Sequence, residues 1–159
     1  MNTLVNGSIA GLAATIPMSA VMAALHRQLP AHERYPLPPR EITVEVARRA
    51  GADEAVDSEA GRETSIWVSH FGYGAASGAA YANVAHLLPL GPAASGILWG
   101  LVVWSGSYLG WLPAAGIRQS ATRQPLRREA LMIAAHVVFG AATGLAFHAL
   151  QRRQAPAAG

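Results

Sequence analysis

Apolar and polar positions along this chain fall into blocks. Residues 1–25, 64–117 and 130–151 contain no Asp, Glu, Lys or Arg. Four mainly apolar segments lie within those blocks, at about 3–25, 65–88, 94–115 and 130–150. Each is close to the roughly 20 residues a helix needs to cross the hydrocarbon of a bilayer. Pro17 falls inside the first segment, where a soluble helix would break but a membrane helix accommodates a kink. Pro89 and Pro92 bracket a tight second connection, and Pro113 closes the third segment. The first segment lacks the basic start of a secretory signal and has a longer apolar run, so it reads as a retained helix. The pattern predicts an all-α chain. It forms one integral membrane domain over 1–159, a four-helix transmembrane bundle made of two helix hairpins.

The connection 26–64 is long and patterned. Residues 35–42 read YPLPPREI, and three prolines hold that backbone extended or PPII-like. In the following EITVEVARRAGA, Ile42, Val46 and Ala50 recur at i, i+4 and i+8, with Arg48 and Arg49 on the other side. A short amphipathic helix over about 41–50 follows, with Gly51 as its stop. It is expected to rest on the membrane surface or on the end of the bundle. The acidic ADEAVDSEAGRE after it is expected to be solvated. Tyr35, Pro38, Pro39 and Arg40 form a candidate docking element for a partner protein.

Two of the apolar segments share a motif. Residues 70–81 read HFGYGAASGAAY and residues 136–147 read HVVFGAATGLAF, with six of twelve positions identical. At about 100° per residue, the histidine, the aromatics, the glycines and the Ser/Thr all fall on one stripe about 140° wide. Within it, Gly74-x-x-x-Gly78 and Gly140-x-x-x-Gly144 are small-xxx-small motifs, which let helix backbones approach closely in lipid. The other two segments carry Gly7-x-x-x-Gly11 and Gly96-x-x-x-Gly100. The chain therefore reads as a parallel repeat of two hairpins, with His70 and His136 at similar depth on parallel helices. Packing explains the glycines and aromatics. The histidines are either hydrogen-bonded register pins or a ligand pair, for which a single b-type haem is the cofactor to consider. His86 and His148 fall off the stripe, which argues against a second haem.

Composition and charge sharpen this picture. Hydrophobic residues make up 52% and charged residues 13%, against about 25% charged in soluble domains. There is no cysteine, which excludes disulfides, thiolate zinc sites and thiol catalysis. The net charge of +3 does not signal nucleic acid, because the arginines sit at the ends of apolar segments and not on one face. Loops one and three carry ten of the twelve arginines, which places them in the cytoplasm and both termini outside. No charged residue lies within a predicted span. That disfavours a proton pump and leaves no acid/base dyad or activated nucleophile, so no catalytic or structural metal residues are assigned.

The order of features resembles the YagU-like group of small bacterial inner-membrane proteins. The likeness rests on Pro36-Leu37-Pro38-Pro39-Arg40 after a glycine-rich first helix, on His70, Tyr73, Gly74 and Tyr81, and on His136 leading to Arg152 and Arg153. This chain departs from that group in its shorter loops. The resemblance implies a location in the inner membrane and carries over no activity. The leading expectation is a scaffold or accessory subunit that works through helix packing, with another membrane protein or a second copy as partner. The alternatives are a transporter or channel component for a small solute, and a haem-binding redox protein.

Overall fold

The structure, a computed structural model, describes residues 2–154. Among them every regular element is helical. The elements are α1 (Thr3–Arg27), α2 (Pro38–Arg49), α3 (Glu54–Asp57), α4 (Glu59–Val84), α5 (Pro92–Ser105), a π-helical segment (Gly106–Trp111), α6 (Leu112–Ala114) and α7 (Leu126–Gln154). Short 3₁₀ turns lie at Ala31–Glu33, Ala85–Leu87 and Ala121–Arg123. Two helices, α1 and α7, are each long and apolar enough to cross a membrane.

Local chemistry explains most of the ends. The Asn2 side chain accepts from the Leu4 N–H at 3.1 Å and starts α1. Ser58 does the same for α4 through the Gly61 N–H at 3.0 Å. Prolines open α2 and α5, where the missing N–H would have no partner. Arg40 and Glu41 fall within the first turn of α2, so the amphipathic helix starts at Pro38 and not at 41.

One expectation is refined and one is corrected. The acidic stretch 52–63 is exposed along most of its length, as expected, and it is also folded, as α3 and the first turn of α4, with Val56 buried. The third apolar segment is not one helix over 94–115. Regular α-helix ends at Ser105, and the next six residues widen into a π turn with Gly110 off helical geometry at φ −104°, ψ −105°. Ser105-Gly106-Ser107 and Gly110 are weak helix formers, so the run yields there.

Four helices pack side by side in the order α4, α1, α7, α5, each antiparallel to its neighbour. On α1, a Cβ at Gly11 would lie 2.8 Å from the Gly78 Cα, and one at Gly7 would strike the Gly78 carbonyl. On α5, a Cβ at Gly96 would lie 2.9 Å from the Gly144 N, and one at Gly100 would lie 3.1 Å from the Gly140 Cα. These approaches are possible only because no side chain intervenes. All eight glycines of the four motifs are thus used within the chain. The two crossings are equivalent with Gly11 matched to Gly96, one turn away from the alignment that the sequence motifs suggest.

Helices α4 and α7 both run antiparallel to α1 and so run parallel to each other. Between α4 and α5 the gap is wider and bridged by side chains. The Tyr81 and Ser95 hydroxyls bond at 2.7 Å, Trp99 Nε1 donates to Ser77 Oγ at 3.1 Å, and the Tyr73 and Ser107 hydroxyls meet at 3.0 Å.

The burial pattern of α1 is inverted relative to a soluble helix. Its buried residues are Asn6, Gly7, Ala10, Gly11, Ala14, Thr15, Met18 and Met22. Its exposed ones include Leu4, Val5, Ile9, Leu12 and Ile16. Asn6 is fully buried and exchanges hydrogen bonds with Gln151 and Gln154 of α7. Small and polar residues thus face inward and branched apolar ones outward.

Candidate functional site: a chamber shared by two histidines

His70 on α4 and His136 on α7 line the same cavity, of about 390 Å³. It lies between α4 and the π segment, with α1 and α7 behind it and α2 across its end. Three local features make the space. The glycine at 74 and Thr15 give a thin wall where α4 crosses α1. The π turn carries Ser107 and Tyr108 to the interior, where both are buried. The apolar edge of α2, with Pro39, Ile42, Val46 and Ala47, covers the end. No Asp, Glu, Lys or Arg lines the chamber.

Each histidine has a defined partner. His136 is 5% exposed, and its Nδ1 donates to the Met132 carbonyl one turn back at 2.7 Å. Its ring meets Tyr108 edge-on, with centroids 5.8 Å apart. His70 Nε2 lies 3.1 Å from Ser19 Oγ on α1, tying α4 to α1. Tyr73 reaches across to Ser107, and Thr43 on α2 bonds Ser69 at 2.6 Å. An axial haem pair would have to break the His70–Ser19 bond or use His70 Nδ1. Among the described residues no three His, Cys, Asp or Glu side chains gather as a metal site.

A strap that sequence reasoning missed holds α2 in place. Arg128, 2% exposed at the start of α7, donates to the carbonyls of Glu33 at 2.7 Å, Tyr35 at 3.0 Å and Pro36 at 2.8 Å. An extended proline-rich backbone makes no internal hydrogen bonds, so its carbonyls are free for such a donor. The guanidinium also lies 3.5 Å from the centre of the Tyr35 ring, and the Tyr35 hydroxyl donates to Gln124 at 3.1 Å. Buried Arg118 pairs with Glu41 of α2 and lies 4.0 Å from Glu129. Arg49 donates to the Ala115 and Gly116 carbonyls. The signal was present in the sequence as three prolines in the first loop and an Arg-Arg-Glu in the third, but nothing in the spacing joins them.

The docking candidates are accordingly drawn into the fold. Tyr35 packs on Arg128, Pro38 is buried, Pro39 lines the chamber, and Arg40 lies at the surface paired with Glu59 at 3.7 Å and Glu63 at 3.5 Å. A second, more open cleft of about 520 Å³ lies over Arg118, beside Tyr35, Glu41, Glu45 and Arg123. Both of its carboxylates are paired, Glu41 with Arg118 and Glu45 with Arg49 from outside the lining.

Comparison with known proteins places the chain at family level. A family model described as a family of unknown function, DUF6789, matches residues 1–158. The chain belongs to the DUF6789 family. No match links it to the YagU-like group, and no curated protein or solved structure matches it.

Proposed function

We propose that this DUF6789 protein is a four-span inner-membrane bundle that holds one small, neutral, lipid-soluble molecule beneath its cytoplasmic helix α2. The observation that carries the reading is the chamber: an uncharged, largely apolar space lined by buried His136 and half-buried His70, which reaches the side of the bundle at Val68 and Trp111, both exposed. A cavity of this kind, mostly apolar with a few converging polar groups, suits a small ligand. The inverted burial of α1 supports the membrane location, because lipid replaces the core as the partner of Leu4, Ile9 and Ile16. The arginine-rich loops support an orientation with α2 and the strap in the cytoplasm and both termini outside.

The glycine stripes are occupied by contacts within the chain, so self-association is not needed to explain them. An accessory role remains compatible, with the protein storing or presenting its ligand to a partner in the membrane. Movement of such a solute between leaflets is a further use of the same chamber.

The test uses the full-length protein in lipid nanodiscs, titrated with 4-octylphenol while tryptophan emission is recorded. Wild type should show a saturable change, and Ala47→Trp, which fills the chamber from α2, should abolish it. A linear, non-saturating response that is identical in the two proteins would refute the reading.

A further inference from the structure

We infer that the molecule taken by this chamber is a membrane-soluble phenol or quinol, recognised through its hydroxyl by His136 and Tyr108; the inference rests on the ligand-chamber reading above. The hydrogen-bond directions around the two histidines favour it. A neutral imidazole has one N–H donor and one lone-pair acceptor. His136 Nδ1 faces the Met132 carbonyl, which can only accept, so Nδ1 carries the hydrogen. His136 Nε2 is then an acceptor, and among the described residues the hydrogen bond of this ring is made by Nδ1 alone. His70 is committed by the same logic. The Ser19 hydroxyl donates to the Thr15 carbonyl at 2.8 Å, which leaves its oxygen to accept from His70 Nε2. His70 Nδ1 is therefore a second acceptor. Tyr108, 5% exposed and against the His136 ring, has a hydroxyl with no hydrogen bond among the described residues.

The chamber lining thus includes an imidazole with an acceptor nitrogen to spare and, with its ring centroid 5.8 Å away, a tyrosine that carries a phenolic O–H. A ligand hydroxyl answers both at once, donating to His136 Nε2 and accepting from Tyr108. A ketone, ether or quinone only accepts, and would leave His136 facing an unmatched group at the cost of a buried hydrogen bond. The uncharged lining disfavours fatty acids and phospholipid headgroups, whose charge would be buried unpaired. The walls favour a flat ring over an aliphatic alcohol: Tyr73, Tyr108, Trp111 and Phe139 present aromatic faces and edges beside the two imidazoles. About 390 Å³ accommodates a substituted ring, and the opening beside Val68 and Trp111 lets an alkyl tail continue into lipid.

Two probes that differ by one hydrogen-bond donor test this on the full chain in nanodiscs: 4-octylphenol and its methyl ether, 1-methoxy-4-octylbenzene. Wild type should bind the phenol about tenfold more tightly than the ether, the ratio set by one net hydrogen bond. His136→Phe keeps a ring against Tyr108 and should lower phenol affinity to that of the ether while leaving ether affinity unchanged. Equal, saturable binding of both probes by wild type overturns the inference and leaves the chamber reading standing. Saturable binding of neither overturns both. A b-haem Soret band in purified wild type that His136→Phe abolishes also overturns the inference, because His136 Nε2 would then be an iron ligand.

Discussion

At the scale of single residues, the glycines and Arg128 carry the account. Gly140 and Gly72 make a controlled pair, since both lie within apolar helices. A Cβ at Gly140 would lie 2.8 Å from the Gly96 carbonyl carbon and 3.0 Å from the Gly100 Cα, all backbone that cannot swing aside, whereas one at Gly72 meets nothing within 4 Å. Gly140→Ala is expected to destabilise the protein by about 1–3 kcal/mol, the usual range for overpacking. Gly72→Ala should be neutral or slightly stabilising, because alanine is the better helix former by about 1 kcal/mol. Unfolding by SDS titration in mixed micelles separates the two. Arg128→Lys keeps the charge but loses the planar fork that serves three carbonyls. It should free the 28–37 strap and accelerate cleavage there by a soluble protease, with α1 and α7 still intact. Unchanged cleavage would mean that the prolines hold the strap unaided.

At the scale of elements, what the sequence showed was what depends on local pattern. Charge-free blocks marked the four apolar segments, and the i, i+4, i+8 recurrence of Ile42, Val46 and Ala50 marked α2. The angular stripe on α4 and α7 also identified which faces would pack, and Gly74, Gly78, Gly140 and Gly144 all lie in those contacts. What the sequence hid was set by contacts distant in the chain. The one-turn offset between Gly11 and Gly96 depends on how two helix pairs dock, and both motifs read alike in one dimension. The π turn at Gly106–Trp111 was masked by the apolar character of its residues, although Ser105, Gly106 and Gly110 weaken the helix there. The burial of Arg118, Arg128 and Glu129 was hidden because charged residues at the end of an apolar run ordinarily read as solvated. Only the folded strap supplies the carbonyls, and only docked α2 the Glu41 carboxylate, that the arginines meet. Likewise, His70 and His136 were recognised as a pair, but the space between them exists only because α4 and α5 part and α2 covers the gap.

At the scale of the whole molecule, the proposed topology makes a direct prediction in a chain that has no native cysteine. In intact spheroplasts, a cysteine introduced at exposed Leu90, in the α4–α5 turn, should react with an impermeant maleimide added from outside. One at exposed Thr122, between α6 and α7, should react only after permeabilisation. Reversed accessibility would invert the orientation and move α2 and the strap to the outer face. The central claim is narrower: the space under α2 is a ligand site. Trp111 lines that space, whereas Trp99 is bonded to Ser77 in the other half of the α4–α5 gap. The most direct measurement compares two single-tryptophan proteins in nanodiscs, one retaining Trp111 and one retaining Trp99, each titrated with a ring-brominated 4-octylphenol. Saturable quenching is expected for Trp111 and none for Trp99. Equal, linear quenching of both tryptophans would show the phenol dissolved in lipid and would contradict that claim.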